Sequence, residues 1–99
     1  MTTGSPQRGD IRLSARVFGV VQGVGFRFTS QRLAQDHSVG GYVRNLPDGR
    51  VELVAEGDPA EVEALLAAVQ RRMNDHIRDV QVVNEPPDEP PLAEFVVRH

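Results

Sequence analysis

Apolar and polar residues alternate along several segments of the chain, and this alternation predicts strands with one buried face. In the first segment, Ile11, Leu13, Ala15 and Val17 occupy one face, and charged or small polar residues occupy the other. The segment 77–83 is rich in β-branched residues and is also predicted to be a strand. The complete set of predicted strands is 11–18, 42–46, 50–56, 77–83 and 93–98.

Two segments between these strands carry apolar residues at helical spacing. The first, 26–37, is a modest amphipathic helix that we expect to end at Val39-Gly40-Gly41. The second begins with Asp58 as N-cap, Pro59 as first helical residue and Glu61 as the second half of a capping box. Its apolar stripe consists of Val62, Leu65, Leu66, Val69 and Met73.

The turn Pro47-Asp48-Gly49 joins two of the strands into a hairpin. The whole order is strand, helix, strand, strand, helix, strand, with a further terminal strand. This order predicts an α+β fold of the ferredoxin-like split β-α-β type, in which two helices cover one face of an antiparallel sheet of four or five strands. The acidic, proline-rich segment 85–91 is predicted to be a plain connector.

A loop with three glycines connects the first strand to the first helix, in the stretch Gly19-Val20-Val21-Gln22-Gly23-Val24-Gly25-Phe26-Arg27. Glycines permit positive φ and a close approach to a ligand, so successive N–H groups can converge on one point. A helix N-terminus favours an anion there, and Arg27 adds a planar fork of donors. We expect a bound phosphoryl group, with a strand-to-helix turn without ligand as the alternative. The predicted binding residues are Gly19, Val20, Val21, Gln22, Gly23, Val24, Gly25 and Arg27.

Two stretches resemble the signatures of the acylphosphatase family. Residues 19–27 are similar to its phosphate loop, and Gly41-Tyr42-Val43-Arg44-Asn45-Leu46-Pro47-Asp48-Gly49 is similar to its second signature. The resemblance extends from residue 11 to the C-terminus. It implies hydrolysis of acyl phosphates to a carboxylate and inorganic phosphate, with Arg27 binding the phosphate and Asn45 holding the attacking water. Judged on its own, Asn45 is a turn residue.

The chain departs from the family pattern at five positions, none of which is Arg27 or Asn45. One lies in the loop and four lie near the ends of the two helices. They are Val20, His37, Ser38, Asn74 and Asp75.

The implied chemistry requires few groups, because a carboxylate leaves readily and the protein mainly positions the substrate and neutralises charge. The amide of Asn45 can accept a hydrogen bond from water and donate one to an oxygen. The loop contains no Ser, Cys, Asp or His, so we expect no phosphoenzyme. We also expect no cofactor and no metal, and His37, His76 and His99 are not at ligand spacing. His37 is predicted to be partly buried and the other two exposed.

Composition narrows the remaining classes of function. The 99 residues predict one domain, 11–99, after a disordered tail, 1–10. A net charge of −3 and 5% aromatic residues argue against nucleic acid as a partner. No apolar run is long enough to span a membrane. The absence of cysteine excludes disulfides but leaves the redox compartment open. We expect a cytoplasmic monomer that acts on a small molecule.

Side chains outside the motifs have simpler predicted roles. Phe26, Phe28 and Phe95 are expected to pack in the core or under loops. Arg16 and Arg44 are expected to be solvated charges on strand faces.

Two other functions stay open at this point. One is a catalytically inactive phosphate-binding or regulatory module of the same fold, which a hydrolysis assay would distinguish from an enzyme. The other is the acylphosphatase-like domain of a carbamoyl-phosphate-using maturation protein. Those larger proteins continue into cysteine-rich segments, and this chain contains no cysteine.

Overall fold

The computed structural model describes residues 9–99, which form two α-helices and a five-stranded sheet. The first eight positions of the predicted tail lie outside the described residues, and the division into tail and domain stays a prediction. A short 3-10 helix, Asn74–His76, precedes the fourth strand. The elements are β1 (Ile11–Gly19), α1 (Phe26–Ala34), β2 (Val39–Asn45), β3 (Val51–Gly57), α2 (Pro59–Arg72), β4 (Ile77–Glu85) and β5 (Phe95–Arg98).

The strands are ordered β4-β1-β3-β2-β5 across the sheet. β1 pairs antiparallel with β3 and β4, and β2 pairs antiparallel with β3 across the predicted hairpin. The α+β ferredoxin-like arrangement is therefore confirmed. The prediction of a wholly antiparallel sheet is wrong at one edge, because β5 pairs parallel with β2 from Gly41 opposite Phe95 to Arg44 opposite Arg98. The connector after β4 brings the chain back to the end of the sheet where β2 begins, so both strands run the same way.

The core lies between the helices and the sheet face that carries the predicted apolar positions. The helices and the sheet both contribute side chains that are less than 2% exposed. Each large side chain buried in this way stabilises the fold by about 1.5–3 kcal/mol. The residues of this set include Ala15, Val17, Phe26, Val43, Val51, Leu53, Ala55, Val62, Leu65 and Val69.

The opposite face of β3 is also covered, although its alternation predicted a polar surface. Glu52 and Glu56 are only 5% and 3% exposed, respectively. The carboxylate of Glu56 accepts hydrogen bonds from the backbone N–H groups of Asp88 and Leu92, at 2.9 and 2.7 Å, and from Nη1 of Arg12 at 3.2 Å. The acidic connector is thus fixed across the sheet, and its first residue, Glu85, belongs to β4.

Two arginines on this face do more than extend into solvent. Nε of Arg44 donates to Oε1 of Glu52 at 2.6 Å, and Nη2 of Arg16 lies 3.8 Å from Oε2 of the same carboxylate. Both arginine side chains are about half exposed. The expectation of solvated charges on strand faces is therefore only partly right, because both arginines also pair with the buried carboxylate of Glu52.

The end of α1 and the start of β2 differ from the prediction. α1 ends at Ala34, and Val39-Gly40-Gly41 forms the beginning of β2 instead of a break. A Cβ on Gly41 would lie 1.9 Å from the carbonyl oxygen of Val54 on the neighbouring strand. The glycine therefore permits close strand pairing here, which its sequence alone does not distinguish from a helix stop.

The predicted start of α2 is confirmed in part. Oδ2 of Asp58 accepts from the N–H of Ala60 at 3.1 Å, and Pro59 is the first helical residue. The capping box is wrong, because Oε1 of Glu61 instead accepts from the N–H of Ser38 at 3.1 Å and lies 3.3 Å from Nδ1 of His37. Glu61 thereby ties α2 to the junction between α1 and β2.

Candidate active site

The glycine loop, residues 19–25, leaves β1 and enters α1 in a conformation that needs its glycines. Gly23 and Gly25 have φ values of 80° and 81°, and Gly25 is the left-handed N-cap residue of α1. A Cβ built on either glycine would meet nothing within 4 Å. Both glycines therefore serve the backbone conformation and border open space instead of tight packing.

Several N–H groups of this loop are available as donors. Within residues 9–99, none of the N–H groups from Val21 to Gly25 makes a well-aligned hydrogen bond to a backbone carbonyl. The first helical hydrogen bond of α1 runs from the N–H of Thr29 to the carbonyl of Gly25, so the N–H groups at the start of the helix lack helical acceptors. Free donors next to a helix N-terminus suit an anion.

The first two residues of the loop have a different role. The N–H of Val20 donates to the carbonyl of His76 at 2.9 Å. A Cβ on Gly19 would lie 2.2 Å from that same carbonyl oxygen. Gly19 and Val20 therefore anchor the loop to the chain entering β4, and the Val20 N–H is already satisfied. The donors for an anion begin at Val21.

Arg27 and Asn45, which are far apart in sequence, border the same cavity of about 310 Å³. Arg27 lies in the first turn of α1, and Asn45 is the last residue of β2. The loop contributes Val21, Gly23 and Gly25 to the same cavity. Among the predicted binding residues, Gly19, Val20, Gln22 and Val24 do not line it. The fold thus brings the two predicted catalytic side chains and part of the loop together.

The guanidinium of Arg27 is held at its outer edge by the end of β5. Its Nη1 donates to the carbonyl oxygen of Arg98 at 3.2 Å and lies 3.2 Å from Nδ1 of His99. These contacts use one of the guanidinium nitrogens, and the other donors of the planar fork are free for a ligand. By contrast, no hydrogen bond to the Asn45 side-chain amide is found within residues 9–99. The Asn45 amide is therefore available to bind water.

Gln22 holds the loop in place. Its Nε2 donates to the carbonyl oxygens of Leu46 and Arg50, at 2.8 and 2.9 Å. These two carbonyls lie on either side of the turn that follows Asn45. Through this side chain, the loop that carries the donors and the strand that carries Asn45 are fixed relative to each other.

The turn itself is stabilised by an ion pair. Nε of Arg50 donates to Oδ2 of Asp48 at 2.7 Å, and the Arg50 N–H donates to Oδ1 at 3.1 Å. The hydrogen bonds from the side chain and then the backbone of Arg50 lower the pKa of Asp48 below its usual value. The same ion pair raises the pKa of Arg50.

Four residues that line the cavity were not predicted as site residues: Phe26, Phe28, Val97 and His99. The expectation that Phe28 is packed is wrong, since it is 68% exposed. Phe26 already occupies the core side of α1, and a residue two positions later on a helix faces a different side. Val97 and His99 reach the site because β5 lies beside β2, a pairing that no local pattern reveals. His99 is exposed as predicted, whereas His76 is half-buried.

A larger cavity, of about 470 Å³, lies at the opposite end of the sheet, between the start of β2 and the end of β3. It borders His37 and the buried Glu56, and neither Arg27 nor Asn45 reaches it. Because the carboxylate of Glu56 repels anions, this cavity does not suit a phosphoryl group.

No group of three or more His, Cys, Asp or Glu side chains within residues 9–99 is arranged to hold a metal ion. In the same part of the chain, no helix has the length and apolar character needed to cross a membrane.

Comparison with known proteins gives a consistent result. The family model for acylphosphatase matches residues 13–97. The acylphosphatase of Yersinia pseudotuberculosis serotype O:1b (strain IP 31758) is 42% identical over 89 residues, covering 90% of this chain and 97% of the relative. The crystal structure of acylphosphatase from Bacillus subtilis superposes with a TM-score of 0.79 at 30% identity, covering 90% of this chain and 99% of that one.

A domain of a larger protein shares the same fold. The crystal structure of HypF from T. kodakarensis matches with a TM-score of 0.75 at 30% identity, and the match covers 88% of this chain but 12% of that protein. The Yersinia and Bacillus proteins are instead matched over almost their whole length. The family model and these relatives lead to one conclusion: the chain belongs to the acylphosphatase family.

Proposed function

We propose that this protein is an acylphosphatase, which hydrolyses the carboxyl–phosphate bond of acyl phosphates to a carboxylate and inorganic phosphate. The observation that carries the proposal is that the glycine loop, Arg27 and Asn45 border one cavity in a chain of this family. Each of the three supplies something that the reaction needs: anion-binding donors, a fixed positive charge and a free amide for water.

The phosphoryl group is bound by the free N–H groups of the loop, Val21 to Gly25, together with the guanidinium of Arg27. These donors face the equatorial oxygens, whose charge must be neutralised as the bond to the leaving group breaks. The hydrogen bond from Arg27 to the carbonyl of Arg98 fixes the guanidinium before the substrate arrives. Gln22 contributes through its two hydrogen bonds to the turn, and its side chain does not contact the phosphate in this proposal.

Asn45 orients the attacking water. Its amide oxygen accepts a hydrogen bond from the water, and its N–H₂ group donates to an oxygen of the substrate. The water oxygen forms the new bond to phosphorus while the bond from phosphorus to the acyl oxygen breaks, and that oxygen's electron pair leaves with the carboxylate. The proton of the water passes to a phosphate oxygen, since an amide is no base at neutral pH. In this proposal the water attacks phosphorus directly and no phosphoenzyme is formed; the loop itself contains no nucleophilic side chain.

The finer features of the enzyme follow from the same arrangement. The loop N–H groups and Arg27 supply the charge neutralisation that a metal gives other phosphoryl-transfer enzymes, so we propose a metal-independent reaction. We also propose that the enzyme is active as a monomer, since one chain contributes all the cavity residues named here. The cytoplasmic location stays a prediction.

The test is hydrolysis of benzoyl phosphate in the presence of a chelator, measured by release of inorganic phosphate. We expect the wild type to be active and Arg27→Ala to lose at least about 100-fold in kcat/KM. Arg32→Ala, which removes an exposed arginine on the same helix, is the matched control and should stay within about twofold of the wild type. A wild-type protein that binds inorganic phosphate without hydrolysing benzoyl phosphate would instead be an inactive phosphate-binding module.

A further inference from the structure

Phe28 is a large apolar residue that the fold leaves in solvent beside the candidate site. Its side chain is 68% exposed, which makes it the most exposed of the large hydrophobic residues in the described part of the chain. It follows Arg27 directly and lines the same cavity. A single exposed apolar side chain is common on protein surfaces and is not by itself a sign of binding. Phe28 differs because it borders the cavity that also holds Arg27 and Asn45, where a bound ligand could contact the ring.

The lining of the cavity has a polar part and an apolar part. Arg27, Asn45 and the loop form the polar part. Phe28 and Val97 belong to the apolar part, together with the buried side chains of Val21 and Phe26. Among the described residues that line the cavity, none carries an acidic side chain.

The chemistry of the substrate matches this division. An acyl phosphate is a phosphoryl dianion joined through one oxygen to an acyl group. When the loop and Arg27 hold the phosphoryl group, the acyl group must extend from that fixed point along another part of the cavity. Phe28 and Val97 are the partly or largely exposed apolar side chains of that cavity. A flat or extended apolar acyl group would contact them, and this contact would remove apolar surface from water, which favours binding.

We propose that Phe28, together with Val97, contacts the acyl group and selects acyl phosphates with an aromatic or extended apolar acyl group. This inference rests on the proposed hydrolysis of acyl phosphates and adds the class of acyl group. A small acyl group, such as acetyl, is too short to gain much from the ring. An acyl group that carries a free carboxylate of its own would have to place that charge against apolar side chains, and the charge would lose solvation.

The test compares two substrates in four proteins. The kcat/KM for benzoyl phosphate and for acetyl phosphate is measured in the wild type, Phe28→Ala, Phe28→Leu and Val82→Ala. Val82 is 44% exposed on β4, away from the cavity, so it controls for loss of an exposed apolar side chain. We expect Phe28→Ala to lower the value for benzoyl phosphate roughly tenfold and the value for acetyl phosphate less than twofold. Phe28→Leu should recover part of the loss, and Val82→Ala should leave both values unchanged.

Two outcomes overturn the inference while leaving the proposed function standing. One is an equal loss for both substrates in Phe28→Ala, which would mean that the ring acts only through the position of Arg27. The other is no loss for either substrate. Melting temperatures of all four proteins show whether any variant fails because it does not fold.

A second measurement does not depend on hydrolysis. Affinities for phenylphosphonate and methylphosphonate are measured by calorimetry in the wild type and in Phe28→Ala. We expect the wild type to prefer phenylphosphonate and the variant to lose that preference, with little change for methylphosphonate. Equal affinity of the wild type for both phosphonates contradicts the inference even if no acyl phosphate is hydrolysed. Absence of hydrolysis with a preserved preference contradicts only the proposed function.

Discussion

Nε2 of Gln22 lies 2.8 Å from the carbonyl oxygen of Leu46, the residue that follows Asn45. The same nitrogen donates to the carbonyl of Arg50 on the other side of the turn, at 2.9 Å. One side chain of the loop therefore fixes the distance between the N–H groups proposed to bind phosphate and the strand that carries Asn45. The geometry of the candidate site therefore depends on this contact as well as on the residues proposed to touch the substrate.

We expect Gln22→Ala to lower kcat/KM for benzoyl phosphate by about tenfold, because the loop can then shift relative to Asn45. Removing two hydrogen bonds should also reduce the free energy of unfolding by about 1–3 kcal/mol. Steady-state kinetics and urea denaturation measure the two effects. Gln81→Ala, at an exposed position on β4, is the control. Unchanged kinetics in Gln22→Ala would show that the loop holds its position without this contact.

Asn45→Ala should separate turnover from phosphate binding. We expect kcat to fall by about 100-fold, since the amide acts on the water, while the inhibition constant of inorganic phosphate stays within about twofold. Initial rates with phosphate as competitive inhibitor give both values. Asn84→Ala, at an exposed position on β4, should change neither. A normal turnover number in Asn45→Ala would remove Asn45 from the mechanism.

Glu56→Gln should destabilise the fold without a direct effect on the distant cavity that holds Arg27. The Glu56 carboxylate accepts from the N–H groups of Asp88 and Leu92 and from Arg12, and an amide has one accepting oxygen instead of two. We expect a loss of about 2–4 kcal/mol in the free energy of unfolding, measured by urea denaturation.

Hydrogen exchange provides a local check on the same variant. The amides of Asp88 and Leu92 should exchange faster in Glu56→Gln than in the wild type, because their acceptor is weakened. Glu63→Gln, at an exposed position on α2, should leave both stability and exchange unchanged. Unaltered exchange at Asp88 and Leu92 would show that the connector is held by other contacts.

Asp48 should make stability depend on pH in the acid range. The hydrogen bonds from Arg50 lower the pKa of Asp48 in the folded state. The carboxylate therefore stabilises the fold above the pKa of the unfolded chain, and this stabilisation is lost as the pH falls through the folded-state pKa. At pH 7 we expect Asp48→Asn to melt at a lower temperature than the wild type. This difference in melting temperature should become smaller at a pH well below the ordinary aspartate pKa of about 3.9.

Thermal denaturation at pH 7 and at a pH well below the ordinary aspartate pKa measures this difference in melting temperature. Asp79→Asn, which changes an exposed aspartate on β4, corrects for the general effect of removing a negative charge. A gap between wild type and Asp48→Asn that is the same at both pH values would contradict a role for the Asp48–Arg50 ion pair.

Local patterns determined much of the fold. The alternation at Leu13, Ala15 and Val17 placed the core face of β1 correctly, because a strand turns successive side chains to opposite sides. Asp58 and Pro59 marked the start of α2 because their effects reach only the next few residues. The motifs around the glycine loop and Asn45 indicated Arg27 and Asn45 as candidate site residues, and the fold brings both to one cavity.

Predictions from the sequence were wrong where a residue's role depends on which segment packs against it. Glu61 fits a capping box, yet it binds the neighbouring Ser38 because α1 ends within its reach. Glu56 alternates like a solvent-facing residue, yet the returning connector buries it. Sequence spacing contains no information on which distant segment arrives at a given face.

The sequence by itself determined the order of the elements, the hairpin and the two stretches that identify the family, because each depends on residues close together in the chain. Only the tertiary structure decided that β5 runs parallel to β2 and so brings Val97 and His99 beside Arg27. It also decided that Phe28 is exposed at the cavity, since the core side of α1 is already filled by Phe26. Packing between distant segments sets these features, and a local pattern of apolar and polar residues does not encode it.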